Sequence, residues 1–222
     1  MKLLTIALPK GKLFKPAIEV LAAAGLPVEF LLDGDSRKLV FQDDDTQVRY
    51  MICRPTDIPT FVEYGAADLG MVGKDTIVEQ AKDVSELVDL EFGYCRFVVA
   101  APKAKIEKNP DLKSYNYGRV ATKFPKVAAD FFKEKGMQME IIKLHGNIEL
   151  APVVGLSDLI VDIVSTGKTL KENDLVPVAE IFSSTTRLIA NRASSRMKYQ
   201  RIQPLVAKIK EYMDKRESNK ND

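Results

Sequence analysis

The chain alternates between two kinds of apolar run. Short aliphatic blocks bounded by Gly, Pro or Asp predict strands, and apolar residues spaced three or four apart predict helices. Leu3–Leu8 reads as a buried strand that stops at Pro9-Lys10-Gly11-Lys12. Phe14–Ala24 follows as a helix ended by Gly25. Lys38–Gln42 and Val48–Cys53 read as strands on either side of the acidic turn Asp43-Asp44-Asp45. Thr56–Tyr64 reads as a helix, Ala67–Val72 as a strand, and Lys74–Ala81 as a helix opening at Gly73. Strands alternating with helices predict parallel βαβ units.

A second series begins near Tyr94. Arg96–Ala101 reads as a strand, followed by a polar loop around Asn109-Pro110. Arg119–Thr122 reads as a strand and Pro125–Lys135 as a helix with Pro in its first turn. Met139–Leu144 is predicted a strand, Asn147–Val154 a helix, Leu159–Val164 a strand and Thr166–Glu172 a helix. Glu180–Ala190 reads as one long β-segment returning between lobes. Arg192–Lys215 reads as one helix, with Ile202, Leu205, Ile209 and Met213 on its apolar face. Glu217–Asp222 is a polar, fraying end. The whole predicts an α/β protein of two αβ lobes around a cleft. The first lobe is residues 1–91 with 180–222 returning to it, and the second is 92–179. A cleft between lobes suits a small ligand.

Composition narrows the partners. The 222 residues are 45% hydrophobic and 29% charged, enough for a core and a wet surface. A net charge of +2 is too small to argue for nucleic acid. No stretch approaches the roughly 20 apolar residues of a membrane span, and the start shows no signal-peptide pattern. A cytoplasmic protein is expected. Cys53 and Cys95 each sit in an apolar run and read as buried thiols of a reducing compartment. One His and two Cys fall short of a four-ligand structural zinc site, so no protein-only metal site is expected.

The stretch DLIVDIVSTGKTL, residues 158–170, carries the chemistry. Its Gly167-Lys168-Thr169 imitates the end of a Walker loop, GxxxxGK[ST], but the first glycine of that loop falls on Asp162. A carboxylate there repels phosphate, so the Walker ATPase reading fails. A ribose-phosphate loop wants the opposite. An acid at a strand end accepts from ribose hydroxyls, and small residues opening a helix offer free N–H groups to a phosphate. Asp162 followed by Ser165, Thr166, Gly167, Lys168 and Thr169 has that order. A plain strand-to-helix turn capped by Ser or Thr is the competing reading of the loop alone.

The longer run from Glu149 through Gly155, Ser157, Ile160 and Asp162 to Thr166-Gly167 and Thr169-Leu170 resembles the signature of the ATP phosphoribosyltransferases. These enzymes catalyse the first step of histidine biosynthesis. Ala7-Leu8-Pro9-Lys10-Gly11-Lys12-Leu13 resembles the family's opening, with Lys12 where Arg is common. Arg54-Pro55-Thr56-Asp57-Ile58-Pro59, Ala67–Asp75 and Arg119-Val120-Ala121-Thr122-Lys123 resemble its other motifs. The resemblance runs from about residue 3 to about 206. It implies a periplasmic-binding-protein-like (type II) fold. The chain ends soon after its last helix and so resembles the short form, without the C-terminal regulatory domain of long forms. That form implies a histidyl-tRNA-synthetase-like regulatory subunit as partner, and a homodimer within a hetero-oligomer.

The implied reaction joins N1 of ATP to C1 of the ribose of phosphoribosyl diphosphate and expels pyrophosphate. It needs charge stabilisation more than a strong base, which suits a chain with a single His. Ser165, Thr166, Gly167, Lys168 and Thr169 are expected to hold the 5′-phosphate. Glu149 and Asp162 are expected on the ribose hydroxyls, as the resemblance also implies. Lys10 and Arg54 are the catalytic candidates, as cations for the departing pyrophosphate. Gly11, Lys12, Gly73, Lys74 and Asp75 are assigned to ATP or pyrophosphate. Each lysine has a plainer alternative: Lys10 and Lys12 as solvated loop charges, Lys74 as part of its own helix, Lys168 pointing outward. Mg²⁺ is expected to arrive bound to the substrates. His145 is expected to serve turn geometry, and the basic run 187–201 reads as a solvated face with a partner surface as the alternative. A two-lobed solute- or nucleotide-binding module without catalysis is the competing function, since the architecture alone carries no chemistry.

Overall fold

Strand β1 (Leu4–Pro9) is buried along its whole length. That explains why its sequence is a continuous apolar run without polar alternation, the pattern of a strand covered on both faces. The computed structural model describes residues 2–32 and 37–218. Its chain falls into two compact units, Met1–Gly93 with Thr185–Asp222, and Tyr94–Ser184.

The first unit is built on a six-stranded sheet in the order β2-β3-β1-β4-β11-β5. Its strands are β1, β2 (Val40–Asp43), β3 (Val48–Cys53), β4 (Leu69–Gly73), β5 (Ser85–Asp89) and β11 (Thr186–Ala190). β1 pairs in parallel with β3 and β4, whereas β2 and β11 run antiparallel to their neighbours. One face carries Ile6, Leu8, Tyr50 and Met71 against α1 (Phe14–Ala23) and α9 (Tyr199–Ser218). The other carries Ala7, Val72 and Ile189 against α2 (Ile58–Glu63) and α3 (Lys74–Gln80). Each such fully buried aliphatic contributes roughly 1.5–3 kcal/mol.

The return of the C-terminal segment is fastened by one buried acid. Asp68 is 4% exposed. Its Oδ2 accepts from Thr5 N at 2.8 Å and from Lys198 Nζ at 2.6 Å, and its Oδ1 from Ser194 Oγ at 2.6 Å. Three donors from two distant segments satisfy a carboxylate that would otherwise be costly to bury.

The second unit has a five-stranded sheet in the order β10-β6-β9-β7-β8. These are β6 (Cys95–Pro102), β7 (Arg119–Thr122), β8 (Glu140–Lys143), β9 (Leu159–Val164) and β10 (Leu175–Ser184). β7 pairs in parallel with β8 and β9, while β6 is antiparallel to β9 and β10. One face packs Val98, Ala100, Ile160 and Val164 on Ile148, Ala151 and Leu170. The last two lie on α6 (Leu150–Val153) and α7 (Lys168–Glu172). The remaining helices of this unit are α4 (Lys103–Lys108) and α5 (Pro125–Glu134).

Several expectations need correction. Both sheets are mixed, because β2 and β11 in the first and β6 in the second run against the parallel strands. Glu180–Ala190 is two strands in two sheets, parted at Thr185, whose Oγ1 donates to Asp89 Oδ1 at 2.7 Å and whose carbonyl accepts from Lys74 N at 2.9 Å. The single helix over Arg192–Lys215 is two, α8 (Arg192–Met197) and α9, broken at Lys198, whose ammonium is committed to Asp68 and to the Leu3 carbonyl. α9 does bury Ile202, Leu205, Ile209 and Met213. Helix Asn147–Val154 shrinks to Leu150–Val153, with Asn147 at φ 49°. Strand β5 and helix α4 escaped the pattern, the latter because it buries none of its residues. Of the expected frayed end, Glu217 and Ser218 are helical, and 219–222 lie outside the described residues. Cys95 is buried but Cys53 only half-buried, and neither is in a disulfide.

Candidate functional site

In each sheet the parallel strands end on one edge, and nearly all the candidate side chains follow those ends. Carboxyl edges of parallel strands are where open α/β sheets receive ligands.

In the second unit the edge is made by β7, β8 and β9. The Thr122 hydroxyl closes β7 onto β9 by donating to Val161 O at 2.7 Å, and it accepts from Phe124 N at 2.8 Å. Asp162, next along β9, is half-buried. Its Oδ1 accepts from Ile163 N at 2.8 Å, and among the described residues it has no ion pair. Burial, with Glu149 nearby, pushes its carboxyl from the ordinary 3.8 up to about 6, while the Ile163 N–H and Lys123 act in the opposite sense. Glu149, the residue before α6, is therefore close enough to act on Asp162, so the structure brings the two predicted acids together. A half-buried acid whose neighbour is another acid lacks the donors that would make it structural.

The loop after β9 carries the remaining predicted residues. Gly167 sits at φ 77°, and a Cβ there would meet nothing nearer than Val164 Cγ1 at 3.9 Å. Its glycine is thus demanded by backbone conformation, not by space. The left-handed turn delays the helix, which starts at Lys168 and not at the expected Thr166. Ser165 and Thr166 are exposed. Lys168 N reaches Thr166 Oγ1 at 3.5 Å. The first N–H groups of a helix have no intrahelical acceptor and remain free for a ligand. Thr169 is exposed, and its carbonyl accepts from Asn173 at 2.9 Å. The Lys168 side chain is 79% exposed and lies 3.7 Å from Glu172, so it projects outward along its helix.

In the first unit the edge is made by the ends of β3, β1 and β4. β1 and β3 are in register through Pro9 and Cys53, and Lys10 N donates to Cys53 O at 2.9 Å. Lys10 and Arg54 therefore leave adjacent strand ends side by side, and both are exposed. Gly11 turns the chain at φ 86°. Lys10, Gly11 and Lys12 line a cavity of about 810 Å³ with apolar walls from Leu39, Phe41 and Ile52. The Cys53 thiol beside this edge is pushed up to about 11, chiefly by burial, and is no nucleophile.

At the end of β4 the geometry is more closed. Lys74 N donates to Thr185 O at 2.9 Å, and the Lys74 ammonium is bound to Glu86. A Cβ on Gly73 would stand 2.0 Å from Asp75 Oδ1, so the glycine lets the Asp75 carboxylate fold back over the strand end. This third end is structurally engaged, whereas Lys10 and Arg54 at the first two are exposed and, among the described residues, form no ion pair.

Four basic residues of these edges escaped assignment. Lys15 on α1, and Arg37 and Lys38 in the loop before β2, also line the 810 Å³ cavity, too far apart in sequence for one local motif to join them. Lys123 was legible as part of a motif, but only the β7–β9 register places it beside Asp162. His145 is exposed. Among the described residues no three His, Cys, Asp or Glu side chains gather as a metal-ligand set. No helix among them is long and apolar enough to cross a membrane.

Two α/β units, each presenting polar and charged residues at the carboxyl edge of a mixed sheet, define a protein of the periplasmic-binding-protein-like (type II) class. A solved structure, the ATP phosphoribosyl transferase (HisG:HisZ) complex from Thermotoga maritima, is similar at TM-score 0.81 and 33% identity, over 96% of this chain and 99% of that one. The ATP phosphoribosyltransferase of Moorella thermoacetica is 64% identical over 211 residues, covering 94% of this chain and 92% of the relative. That of Desulfitobacterium hafniense is 58% identical over 217 residues, covering 96% and 97%. The family model "HisG: ATP phosphoribosyltransferase" matches residues 54–211. The chain belongs to the ATP phosphoribosyltransferase family. It is a phosphoribosyl-transferring enzyme, and the alternative of a binding module without catalysis is not favoured.

Proposed function

We propose that this chain transfers the 5-phosphoribosyl group of phosphoribosyl diphosphate to N1 of ATP, releasing pyrophosphate, as the first step of histidine biosynthesis. The lone pair of N1 forms the new bond to C1. The bond from C1 to the diphosphate oxygen breaks, and its electron pair leaves with pyrophosphate. Positive charge grows on the ribose and negative charge on the leaving group.

The observation that carries this reading is Asp162: a half-buried carboxylate, beside Glu149 and three residues before an open loop. With its carboxyl at about 6, it is mostly ionised at neutral pH and able to accept from the ribose 2′- and 3′-hydroxyls. Glu149 shares them. The two carboxylates also favour the cationic ribose of the transition state. Ser165, Thr166 and Gly167, with the first N–H groups of α7 at Lys168 and Thr169, receive the 5′-phosphate. Lys168 contributes its backbone, its side chain being turned to Glu172.

Lys10 and Arg54 stabilise the departing pyrophosphate, and Gly11 and Lys12 hold ATP phosphates at the same edge. Gly73, Lys74 and Asp75 shape that edge, with Lys74 held by Glu86. Mg²⁺ enters as part of the substrates, neutralising diphosphate and triphosphate oxygens. A histidyl-tRNA-synthetase-like subunit is the regulatory partner, by likeness to the HisG:HisZ complex from Thermotoga maritima. The chain pairs as a homodimer within that hetero-oligomer, the assembly that the short-form resemblance implies. The setting is cytoplasmic, where both substrates are made.

Asp162→Ala tests the site. Isothermal titration is expected to show weakened phosphoribosyl diphosphate binding with ATP binding held. An equal loss of both sinks the assigned role.

A further inference from the structure

We propose that Lys123 is a positioning residue of this enzyme: its ammonium, at the end of β7, holds the Asp162 carboxylate ionised and directed to the ribose hydroxyls beside Glu149. The proposal rests on the phosphoribosyl-transfer reading above for the identity of those hydroxyls, and goes beyond it in giving Lys123 a role.

The placement comes from register. β7 and β9 pair in parallel with Thr122 opposite Val161. One step on, Lys123 follows β7 as Asp162 follows Val161 on β9. The step is fixed, because the Thr122 hydroxyl is bonded to Val161 O and Phe124 N on either side of Lys123. Lys123 is exposed and, among the described residues, forms no ion pair. Its charge is therefore not spent elsewhere, unlike that of Lys168, which pairs with Glu172, or Lys105, which pairs with Asp158 at 2.8 Å.

The surroundings of Asp162 leave few other sources of positive charge. Its own strand supplies the Ile163 N–H. From α6 comes Glu149, a like charge. From β6 its register partner is Val98, which brings none. The loop into α7 is uncharged up to Lys168. A like charge nearby disfavours ionisation of Asp162, and a nearby cation offsets it. Asp162 already stands at about 6, with burial and Glu149 pushing up and Lys123 pushing down. Remove the lysine, and the acid that must accept hydroxyls becomes a neutral one over part of the working pH range.

The test is Lys123→Met, read in two ways. First, the Asp162 carboxyl is titrated by ¹³C NMR in the free chain. It is expected to move up. Second, kcat/KM for phosphoribosyl diphosphate is followed against pH. The acid limb is expected to move up with the carboxyl, giving a deficit that is largest near pH 5.5 and closes as the pH rises toward 8.5. Lys123→Arg, which keeps the charge, is expected to restore both readings. An unmoved carboxyl overturns the proposal. So does a loss of equal size at every pH, which marks a direct substrate contact. A moved carboxyl with an unmoved acid limb also overturns it. Failure of the parent reading looks different: the wild-type chain then makes no product, while the NMR titration still decides whether Lys123 acts on Asp162.

Discussion

Asp162→Asn is expected to make the folded chain more stable at neutral pH while impairing the enzyme. In the folded state the Asp162 carboxyl is raised from 3.8 to about 6, first by burial and then by Glu149. A rise of about two units, at 1.36 kcal/mol each, corresponds to roughly 3 kcal/mol. The direction follows from which state holds its proton longer. Well below 3.8 both folded and unfolded chains carry the protonated acid, and no penalty exists. As pH rises through 3.8 the unfolded chain releases its proton, while the folded chain keeps it until about 6. Stability is therefore lost across that window, and the loss is complete above it. Asparagine keeps the shape and can still accept from Ile163 N, but it has no charge to bury. Urea unfolding followed by circular dichroism at pH 3.5, 5 and 7.5 measures the gap. The two proteins are expected to be near parity at the lowest pH, with the variant ahead by about 2–3 kcal/mol at the highest. A variant no more stable at pH 7.5, or a gap that does not grow between pH 4 and 6.5, refutes the account of Asp162 as an acid held at a cost for function.

Three further outcomes are expected. Gly167→Ala meets no atom within 3.9 Å and so costs only the left-handed backbone, about 1–2 kcal/mol, with weaker phosphoribosyl diphosphate binding by calorimetry and unchanged ATP binding. Lys198→Met leaves Asp68 buried without its cation and is expected to cost about 3–5 kcal/mol in chemical unfolding, part of which Asp68→Asn recovers in the double variant. Lys74→Ala, whose ammonium already serves Glu86, is expected to weaken ATP binding less than Lys12→Ala, whose side chain lines the open cavity, in parallel titrations.

Most of the strands were legible because burial on both faces writes itself as an unbroken apolar run; Val48–Cys53, Arg119–Thr122 and Leu159–Val164 match residue for residue. What escaped was set by tertiary structure. Nothing local tells that Thr185 switches the chain from one sheet to the other, or that Lys198 leaves the helical path to reach Asp68. Half-buried strands such as Ser85–Asp89 carry weak alternation, and a surface helix such as Lys103–Lys108 has no apolar stripe. At the candidate site, Asp162 stood out because an acid interrupting an aliphatic strand needs a reason. Gly167 belonged to a recognisable turn, and its positive φ gives that turn its physical cause. Lys123 and the cavity residues Lys15, Arg37 and Lys38 depend on strand register and loop placement, which sequence spacing does not encode. Lys74 illustrates the reverse case: its motif suggests a free cation, but Glu86, twelve residues on, has claimed it.

The central claim is tested most directly by product formation. The purified chain is mixed with ATP, phosphoribosyl diphosphate and Mg²⁺, alone and with a histidyl-tRNA-synthetase-like subunit, and phosphoribosyl-ATP is followed by its absorbance. The account predicts product and stoichiometric pyrophosphate in at least one of the two mixtures, with both signals lost in Asp162→Ala. Silence in both mixtures, from a folded chain, contradicts it.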